Sequence, residues 1–450
     1  MKYDGIMIGF GKAGKTLAGV LAKKGGKVAL IEKSDRMYGG TCINVGCIPS
    51  KSLITSAEHA GCCSDGDFSK KADYYKSAVE EKRRVTSMLR KKNYDKLNDL
   101  EGVTIYDGIG HFLSATQVQV DQKDGSSVIL EAEKIFINTG SEPVKPGIPG
   151  IENNPKVYNS ESLMDEEKLP GHLILIGAGY IGMEFASMYR NFGSEVTVLQ
   201  DGGNFLPRED RDVAEEIRHI MENRGIKFLL GAKTTSIDGG RVLYEKDGSS
   251  HEITGDAILI ATGRRANTRE LDAERAGITL TSRGAVQVDE YLKTDVPNIW
   301  AMGDVNGGPQ FTFVSLDDYR IVLAQLEGKD RSRAGRVNVP YSVFMDTPLG
   351  RVGMTEAQAR EKGIPVKVAK LPTAAVPKAQ VLRKTDGFLK AMIHAETGKI
   401  LGAALLCPEA YEMINLIKLA MDMDADYTVL RDQIYTHPTM TEAFNDLFAV

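Results

Sequence analysis

The segment Gly9-Phe10-Gly11-Lys12-Ala13-Gly14 follows directly on the apolar run Ile6-Met7-Ile8 near the start of the chain. Beyond it, apolar residues recur at helical spacing through position 21, and a second apolar run, Val28-Ala29-Leu30-Ile31, ends at Glu32. A short apolar run bounded by glycine is typical of a buried strand, and the recurring apolar positions indicate a helix. The sequence therefore predicts a complete unit of strand, helix and strand.

The same unit is repeated 168 residues later in the chain. Leu173-Ile174-Leu175-Ile176 leads into a second glycine-rich turn, and Val196-Thr197-Val198-Leu199 ends at Gln200. Each copy closes on a further strand and turn, Ile135–Gly140 in the first and Ile258–Gly263 in the second. The glycines that correspond are Gly9, Gly11 and Gly14 with Gly177, Gly179 and Gly182, and Gly140 with Gly263.

Three glycines in a turn between a strand and a helix have a specific physical use. They let the backbone approach a pyrophosphate, whose charge the N-terminus of the helix stabilises. An acidic residue at the end of the second strand, here Glu32, binds a ribose hydroxyl of the dinucleotide, and Gln200 takes this position in the second copy. Glycine turns also occur without a ligand, but two complete copies in one chain predict two dinucleotide-binding domains.

Composition narrows the class of protein. A length of 450 residues suggests about three domains. With 56 Lys and Arg against 61 Asp and Glu, the net charge of −5 provides no general cationic field for nucleic acid or an anionic membrane. No apolar run is long enough to span a bilayer, and Met1–Asp4 leads directly into a strand, so we expect a soluble cytoplasmic protein.

The segment after the first unit contains two cysteines five positions apart, Gly39-Gly40-Thr41-Cys42-Ile43-Asn44-Val45-Gly46-Cys47-Ile48-Pro49-Ser50-Lys51. On an ideal helix their side chains would point in different directions, so a disulfide requires a distorted turn, which the glycines permit. A thiol near a helix N-terminus has a lowered pKa and can act as a nucleophile or donate electron density to a flavin. A zinc half-site and two buried structural thiols are the alternatives.

Two other regions differ in character from the dinucleotide units. Residues 58–100 are highly charged and include Lys82-Arg83-Arg84 among acidic residues, which predicts a helix with a solvated face. From about residue 336 the strand-like segments Tyr341–Phe344 and Lys390–Ile393 precede a helical pattern at Met413–Met421. This order predicts an α+β C-terminal domain.

The cysteine segment, together with the two dinucleotide units, closely resembles the flavin disulfide reductases, such as glutathione reductase, lipoamide dehydrogenase and mercuric reductase. The resemblance covers essentially the whole chain and includes Ala301-Met302-Gly303-Asp304 and His437-Pro438-Thr439 with Glu442. It implies an α/β fold with two Rossmann-like three-layer domains and a C-terminal α+β dimerisation domain. The implied boundaries are 1–150 and 268–335 for the FAD-binding domain, 151–267 for the NAD(P)H-binding domain and 336–450 for the dimerisation domain.

The resemblance also implies a role for each residue at a matching position. Cys42 would meet the substrate, Cys47 would lie against the flavin, and Lys51 would lie near flavin N5, paired with Glu184. His437, oriented by Glu442, would be the acid and base for Cys42 and would come from the partner subunit of a homodimer. Tyr180 would gate the nicotinamide pocket. The implied cofactor-binding residues are Gly9, Gly11, Gly14, Glu32, Thr41, Lys51, Gly140 and Asp304 for FAD, and Gly177, Gly179, Tyr180, Gly182, Gln200 and Gly263 for the nicotinamide nucleotide.

Finer motifs resemble one subgroup, the bacterial reactive-chlorine-resistance flavoproteins, which are similar to hypothiocyanous acid reductases and are associated with copper(II) reduction. These motifs are Gly9–Lys15, Met37–Gly40, Leu206–Asp212 and Asn338–Met345. The resemblance implies reduction of a small oxidant, hypothiocyanous acid. Because Gln200 is neutral and no arginine follows it in Asp201–Asn204, we expect NADH to be preferred and NADPH to remain usable.

Other readings of the sequence remain open at this point. The chain could be a dihydrolipoamide dehydrogenase, another disulfide reductase, a mercury(II) or copper(II) reductase, or a scaffold subunit of a dehydrogenase complex. It lacks the C-terminal cysteine pair with which mercuric reductases take up metal, since it ends Asn445–Val450. Cys62 and Cys63 are adjacent in a polar stretch and could capture a metal, whereas Cys407 is expected in the core. No metal site is predicted.

Overall fold

The computed structural model describes residues 1–62 and 67–450. In the first 150 residues the helices are α1 (Lys12–Lys23), α2 (Thr41–Asn44), α3 (Cys47–Cys62) and α4 (Phe68–Asn98). The strands are β1 (Lys2–Tyr3), β2 (Gly5–Ile8), β3 (Val28–Glu32), β4 (Val103–Ser114), β5 (Gln117–Gln122), β6 (Ser127–Ala132), β7 (Ile135–Ile137) and β8 (Ser141–Pro143).

The middle of the chain repeats the alternation of strands and helices. Its helices are α5 (Ser160–Leu163), α6 (Tyr180–Phe192) and α7 (Arg211–Asn223). Its strands are β9 (Val157–Tyr158), β10 (His172–Ile176), β11 (Glu195–Gln200), β12 (Ile226–Leu230), β13 (Lys233–Asp238), β14 (Arg241–Lys246), β15 (Ser249–Thr254), β16 (Ala257–Ile260) and β17 (Arg264–Ala266).

The last third begins with one more strand of the first sheet. Its helices are α8 (Thr312–Leu326), α9 (Glu356–Glu361), α10 (Pro377–Leu382), α11 (Ala410–Asp422), α12 (Thr428–Arg431) and α13 (Ala443–Leu447). Its strands are β18 (Ile299–Ala301), β19 (Tyr341–Val343), β20 (Leu349–Gly353), β21 (Val366–Pro372), β22 (Phe388–His394) and β23 (Ile400–Leu406).

The strands of the first predicted unit lie toward one side of an eight-stranded sheet with the order β1-β6-β5-β4-β3-β2-β7-β18. Strand β2 pairs in parallel with β3 and β7, which places Ile8, Ile31 and Ile137 side by side. Alternate side chains enter different cores. Met7 packs with residues of α1 and α8, whereas Ile6 and Ile8 pack against the strands of the antiparallel layer. The result is a three-layer domain of the Rossmann-like type predicted.

The second unit builds a parallel sheet with the order β12-β11-β10-β16-β9. Leu173 and Leu175 of β10 pack in the helical core, and Ile174 and Ile176 pack toward the sheet of β13, β14 and β15. Strand β8, which follows the first unit, pairs with β17, which follows the second, so the two segments that connect the units lie side by side. Both glycine-rich turns therefore stand at the carboxyl ends of central strands, where parallel sheets bind ligands.

The C-terminal region is an antiparallel sheet with the order β19-β20-β23-β22-β21. Helix α11 packs on it through Met413, Ile414 and Ile417, which share one buried core with Leu389 and Leu405. This is the α+β arrangement that the sequence predicts.

The charged region differs in part from its prediction. Helix α4 carries exposed ion pairs such as that between Lys91 and Asp95, as a solvated face requires. Lys82, however, is buried and bonds to Asp165, and the Arg83 guanidinium donates to the backbone carbonyl of Asp165 at 2.7 Å. The basic run is therefore not only a solvated face, because it also holds the segment that leads into the second unit.

Candidate active site

The cysteine segment folds as the short helix α2 and the start of the longer helix α3, separated by a break. Gly39 and Gly40 have φ of 98° and 84°, values that favour glycine, and they set the start of α2. A Cβ on Gly46 would lie 2.9 Å from the Thr41 carbonyl oxygen, so only glycine fits the tight turn before α3. This break brings Cys42 of α2 and Cys47, the first residue of α3, close together as two free thiols, and the Cys47 sulfur lies 3.8 Å from the Thr312 hydroxyl.

The two thiols have very different acidities. The neighbouring Cys47 thiol lowers the pKa of Cys42 to about 6, with further contributions from the Thr312 hydroxyl, Lys15 and Lys51, against the opposing effect of burial. The interaction with Cys42, together with burial, raises the pKa of Cys47 well above its usual value. Because the two thiols titrate together, the pair loses its first proton near neutral pH and then holds one thiolate, favoured on Cys42, that can attack an electrophile.

One ion pair connects the two dinucleotide units beside the cysteines. The Lys51 ammonium of α3 lies 2.9 and 2.7 Å from the two carboxylate oxygens of Glu184, on α6. The backbone N–H of Phe344 donates to the same carboxylate at 3.0 Å, and the Phe344 ring lies 4.6 Å from the ammonium. The pair is mostly buried, so it fixes the position of a positive charge near Cys47.

The first glycine-rich turn is tightly closed. Gly9 has a φ of 107°, and a Cβ there would lie 2.3 Å from the backbone oxygen of Asn138. The Asn138 side chain accepts from the Gly14 N–H at 2.9 Å, and it donates to the Met302 carbonyl at 2.6 Å. A Cβ on Gly11 would lie 2.5 Å from the Asn138 Oδ1. Asn138 thus joins β7 to the turn, a contact that the sequence alone does not reveal.

Acidic side chains face the cavity at both ends of this first unit. Burial raises the pKa of Glu32 to about 7, although its carboxylate accepts the N–H of Phe10 at 3.1 Å. Burial also raises the pKa of Asp304, which accepts the Ser141 hydroxyl at 2.7 Å. A buried carboxylate with spare acceptor capacity suits the hydroxyl groups of a ribose or ribityl chain.

The second glycine-rich turn is more open than the first. Gly177 has a φ of 108°, and Gly182 packs so closely that a Cβ would lie 2.3 Å from the Gly177 oxygen. Around Gly179, by contrast, nothing lies within 4 Å of the position that a Cβ would take. The Gln200 Oε1 accepts the N–H of Ala178 at 2.9 Å, which leaves its amide nitrogen free to face the cavity.

All of these elements line one continuous cavity of about 2330 Å³. Its lining includes the first glycine-rich turn, the cysteine pair and the second turn. The predicted site residues that line it are Gly9, Gly11, Glu32, Thr41, Cys42, Cys47, Lys51, Gly140, Gly177, Gly179, Tyr180, Glu184, Gln200, Gly263 and Asp304. A single cavity with this lining has room for two nucleotides and a reacting thiol between them.

His437 and Glu442 form a separate pair. The His437 Nδ1 lies 2.7 Å from the Glu442 carboxylate, and the hydrogen bond holds the pKa of that carboxyl below its usual range. The imidazole is 70% exposed in the single chain. His437 is not among the described residues that line the cavity. The resemblance implies that His437 acts on Cys42 of the partner subunit, and within one chain the structure does not bring the two side chains into one cavity.

Cys407, the third free thiol among the described residues, does not line this cavity. Cys407 is buried in the C-terminal core, as expected, and burial raises the pKa of its thiol well above the usual value. Cys63 and the side chain of Cys62 lie outside the described residues. In the part of the chain that the structure describes, no three His, Cys, Asp or Glu side chains are grouped to hold a metal ion. None of the described helices is long and apolar enough to cross a membrane.

Comparison with known proteins agrees with this geometry. Residues 3–318 match the pyridine nucleotide-disulphide oxidoreductase family, and residues 339–448 match the dimerisation domain of the same family. The chain belongs to the pyridine nucleotide-disulphide oxidoreductase family. The family implies FAD and a nicotinamide nucleotide as cofactors, and it confirms the fold class and the redox enzyme class that the sequence predicts.

Individual relatives place this oxidoreductase more finely within the family. It is 49% identical over 451 residues to the probable pyridine nucleotide-disulfide oxidoreductase RclA of Escherichia coli, covering 100% of this chain and 99% of that protein. It is 33% identical to the dihydrolipoyl dehydrogenase of Chlamydia muridarum, covering 98% of this chain and 95% of that one.

The solved structures agree with the sequence comparison. The Cu(II) complex of the HOCl-induced flavoprotein disulfide reductase RclA from Escherichia coli matches with a TM-score of 0.93 and 49% identity, over 100% of this chain and 99% of that one. The chain is therefore a disulfide reductase of the RclA type. The resemblance to the reactive-chlorine-resistance subgroup, which rested on short motifs, is confirmed.

Proposed function

We propose that this oxidoreductase uses NADH and bound FAD to reduce hypothiocyanous acid at the Cys42–Cys47 pair, in defence against reactive oxidants in the cytoplasm. The observation that carries the proposal is the pair of free thiols, Cys42 and Cys47, in one cavity that both glycine-rich turns also line, and the pKa of Cys42, lowered to about 6, supports it. A thiolate present at neutral pH is the nucleophile that an electrophilic sulfur compound requires.

The lining of the cavity fits both cofactors. Gly9, Gly11 and Gly14 stand at the N-terminus of α1, which would stabilise the diphosphate of FAD, and Glu32 and Asp304 would accept its hydroxyl groups. We assign residues 1–150 and 268–335 to FAD, residues 151–267 to the nicotinamide nucleotide and residues 336–450 to dimerisation. When bound, the flavin supplies the two-electron chemistry that passes reducing equivalents from NADH to the disulfide.

The chain's own residues carry the substrate half of the reaction. The Cys42 thiolate attacks the sulfur of hypothiocyanous acid, which forms a sulfenyl thiocyanate on Cys42 and releases hydroxide. A proton from His437 converts the hydroxide to water. Cys47 then passes its proton to His437, attacks the Cys42 sulfur and displaces thiocyanate, so that the Cys42–Cys47 disulfide forms and His437 regains the proton that it gave. With reduction of the disulfide, hypothiocyanous acid and NADH give thiocyanate, NAD⁺ and water.

The acid for this step comes from a homodimer in our proposal. His437 is exposed in one chain and is held by Glu442, an arrangement that suits a base completing the site of a second subunit. Exposed apolar side chains occur in residues 416–434, which precede His437 in the chain, as at an interface between subunits. The most exposed of them are Leu419, Met423, Val429 and Ile434.

Copper(II) is the second candidate substrate. A related structure from Escherichia coli is described as a Cu(II) complex, and the thiol pair could donate electrons to such an ion. In the described part of this chain, however, no group of three ligating side chains supports a dedicated metal site. We therefore rank copper(II) below a small sulfur oxidant.

The test is a screen of NADH oxidation with hypothiocyanous acid, glutathione disulfide, lipoamide, mercury(II) and copper(II). We expect hypothiocyanous acid to be turned over fastest. Cys42→Ser should stop turnover yet leave reduction of the flavin by NADH intact, because hydride transfer does not involve this thiol. Cys407→Ala, which removes a thiol outside the cavity, is the control and should retain turnover. Faster reduction of glutathione disulfide, lipoamide or a metal ion would overturn the substrate assignment and leave only the family.

A further inference from the structure

A fully buried carboxylate lies behind Tyr180, the first residue of α6. The Tyr180 hydroxyl donates to Glu209 Oε1 at 2.5 Å, and the Tyr341 hydroxyl donates to the same oxygen at 2.6 Å. The Glu209 side chain has no exposed surface, whereas Tyr180 is half-buried and faces the cavity. Burial and the neighbouring carboxylate raise the pKa of Tyr180 well above its usual value, so its hydroxyl stays a donor.

The other oxygen of this carboxylate faces the C-terminal domain. Arg351 Nε, on β20, lies 3.3 Å from Glu209 Oε2, and only 4% of the Arg351 side chain is exposed. The guanidinium is itself fixed, because its Nη1 donates to the carbonyls of Val352 and Ala403 at 2.7 and 3.0 Å. Because Arg351 is charged and held on a rigid strand, it fixes Glu209 as the acceptor of the Tyr180 hydroxyl.

The position of Tyr180 makes this attachment relevant to the cofactor. Tyr180 follows Gly179 of the second glycine-rich turn, and Glu184, the partner of Lys51, lies one helical turn further along α6. The ring therefore stands between the turn that would hold the nucleotide diphosphate and the charge beside the cysteine pair. A nicotinamide that enters from the second turn meets this ring first.

We propose that Glu209 is a positioning residue that anchors the Tyr180 ring across the nicotinamide end of the cavity, so that the nucleotide must break this hydrogen bond to bind. The inference rests on the proposed function in one respect, the assignment of the second turn to NADH. It does not depend on the oxidant substrate. Because a hydrogen bond to a charged group is stronger than one between neutral groups, the anchor sets how readily the cavity opens.

The experiment measures binding of NAD⁺ to the purified holoenzyme by calorimetry. Glu209→Gln keeps the volume of the side chain but removes its charge, so Tyr180 is held less firmly and we expect NAD⁺ to bind about fivefold more tightly. Tyr180→Phe should give the same change, because it removes the hydroxyl. In the double variant the effects should not add, because both changes act on the same hydrogen bond, that between Tyr180 and Glu209.

Asp210→Asn is the matched control. Asp210 is a buried carboxylate at the same domain boundary, where it accepts the N–H groups of Glu356 and Ala357 and does not contact Tyr180. We expect this variant to lose thermal stability and to keep the wild-type affinity for NAD⁺. The inference is overturned if Glu209→Gln leaves the affinity within twofold of wild type, weakens it, or acts equally in the Tyr180→Phe background. If wild type itself binds no NAD⁺, the assignment of the second turn fails instead.

Discussion

The two glycine-rich turns share a sequence pattern but differ in how they are closed. In the first turn, the Asn138 side chain fixes the backbone by accepting the Gly14 N–H and donating to the Met302 carbonyl. The second unit has Ala261 at the corresponding position, which offers no such bonds, and the space around Gly179 is open. A rigid, closed turn suits a group that stays bound through every turnover, and an open one suits a group that exchanges. The difference supports FAD in the first turn and the nicotinamide nucleotide in the second.

The largest expected effect is the loss of a charge-transfer band, in an experiment that tests which thiol lies against a flavin held in the first turn. Anaerobic addition of NADH should produce a long-wavelength charge-transfer absorption band, and Cys47→Ser should abolish it, because a hydroxyl does not supply the thiolate donor. The measurement is the absorption spectrum during a titration with NADH, with Cys407→Ala as the control.

The pKa values of Cys42 and Cys47 make a second outcome of this experiment informative. The pKa of Cys42 is lowered to about 6, and that of Cys47 is raised, so the charge resides first on Cys42. Our assignment requires the charge to move to Cys47 beside the flavin. A band that survives Cys47→Ser and disappears in Cys42→Ser would show that the two roles are reversed.

A matched pair of alanine variants tests the contrast between the turns directly. In Gly11→Ala the new methyl group would lie 2.5 Å from the Asn138 Oδ1 and would displace that side chain, so we expect flavin content to fall more than tenfold. In Gly179→Ala the methyl group enters open space that the nucleotide diphosphate should occupy, so the protein should stay yellow while its affinity for NAD⁺ falls about tenfold.

Flavin absorbance per chain and calorimetry with NAD⁺ measure the two effects. The thermal unfolding midpoint of Gly179→Ala should stay close to that of wild type, which separates loss of binding from loss of folding. Loss of flavin from Gly179→Ala, with flavin retained in Gly11→Ala, would reverse our assignment of the two turns.

Glu32, at the end of β3 in the first unit, predicts that cofactor binding there depends on pH. The second unit has the neutral Gln200 at this position and should lack that dependence. Glu32 has a pKa of about 7 because it is buried, and its ionised form is the better acceptor for ribose hydroxyls. The affinity of the apoprotein for FAD should therefore fall by up to about tenfold as the pH is lowered from 7.5 to 6.

Quenching of flavin fluorescence on binding measures this affinity across the pH range. Glu32→Gln cannot ionise and should bind FAD with little dependence on pH, and NAD⁺ binding next to Gln200 should be similarly flat. An equal slope in Glu32→Gln would mean that another group titrates.

The sequence predicts most of this architecture because its signals are local. Each glycine turn is bounded by its own strand and helix, and Cys42 and Cys47 lie close together in one short segment, so periodicity and spacing are enough. The α+β character of the C-terminal domain is visible in the same way. These features depend on neighbours along the chain, which a single sequence displays directly.

The features that the sequence misses depend on contacts between distant segments. Asn138 was visible as part of a turn, but its bond to Gly14 arises only when β7 pairs beside β2. Glu209 belongs to a recognised motif, yet its role depends on Arg351, which the packing of another domain supplies. The sequence predicts Lys82 on a solvated face, because its bond to Asp165 forms only when two distant segments pack together. No periodic pattern encodes such pairs.

The smallest expected effect concerns the choice between NADH and NADPH at the second turn. The Gln200 Oε1 already accepts the Ala178 N–H at 2.9 Å, so in Gln200→Glu one carboxylate oxygen would keep this bond and the other would face the ribose. A carboxylate there accepts a 2′-hydroxyl and repels a 2′-phosphate. We expect wild type to have the higher kcat/KM for NADH, and Gln200→Glu to increase that preference about fivefold, a change of roughly 1 kcal/mol.

A neighbouring carboxylate provides the opposing variant. Asp201 is exposed and lines the cavity beside Gln200, and it also repels a phosphate in our interpretation. Asp201→Asn should therefore reduce the preference for NADH, while Gln200→Glu increases it, when both are measured as kcat/KM ratios at one ionic strength, because salt screens exposed charges. A wild-type enzyme with a clearly higher kcat/KM for NADPH would contradict the prediction, and it would mean that another basic residue of the cavity, such as Lys233 or Arg208, receives the phosphate.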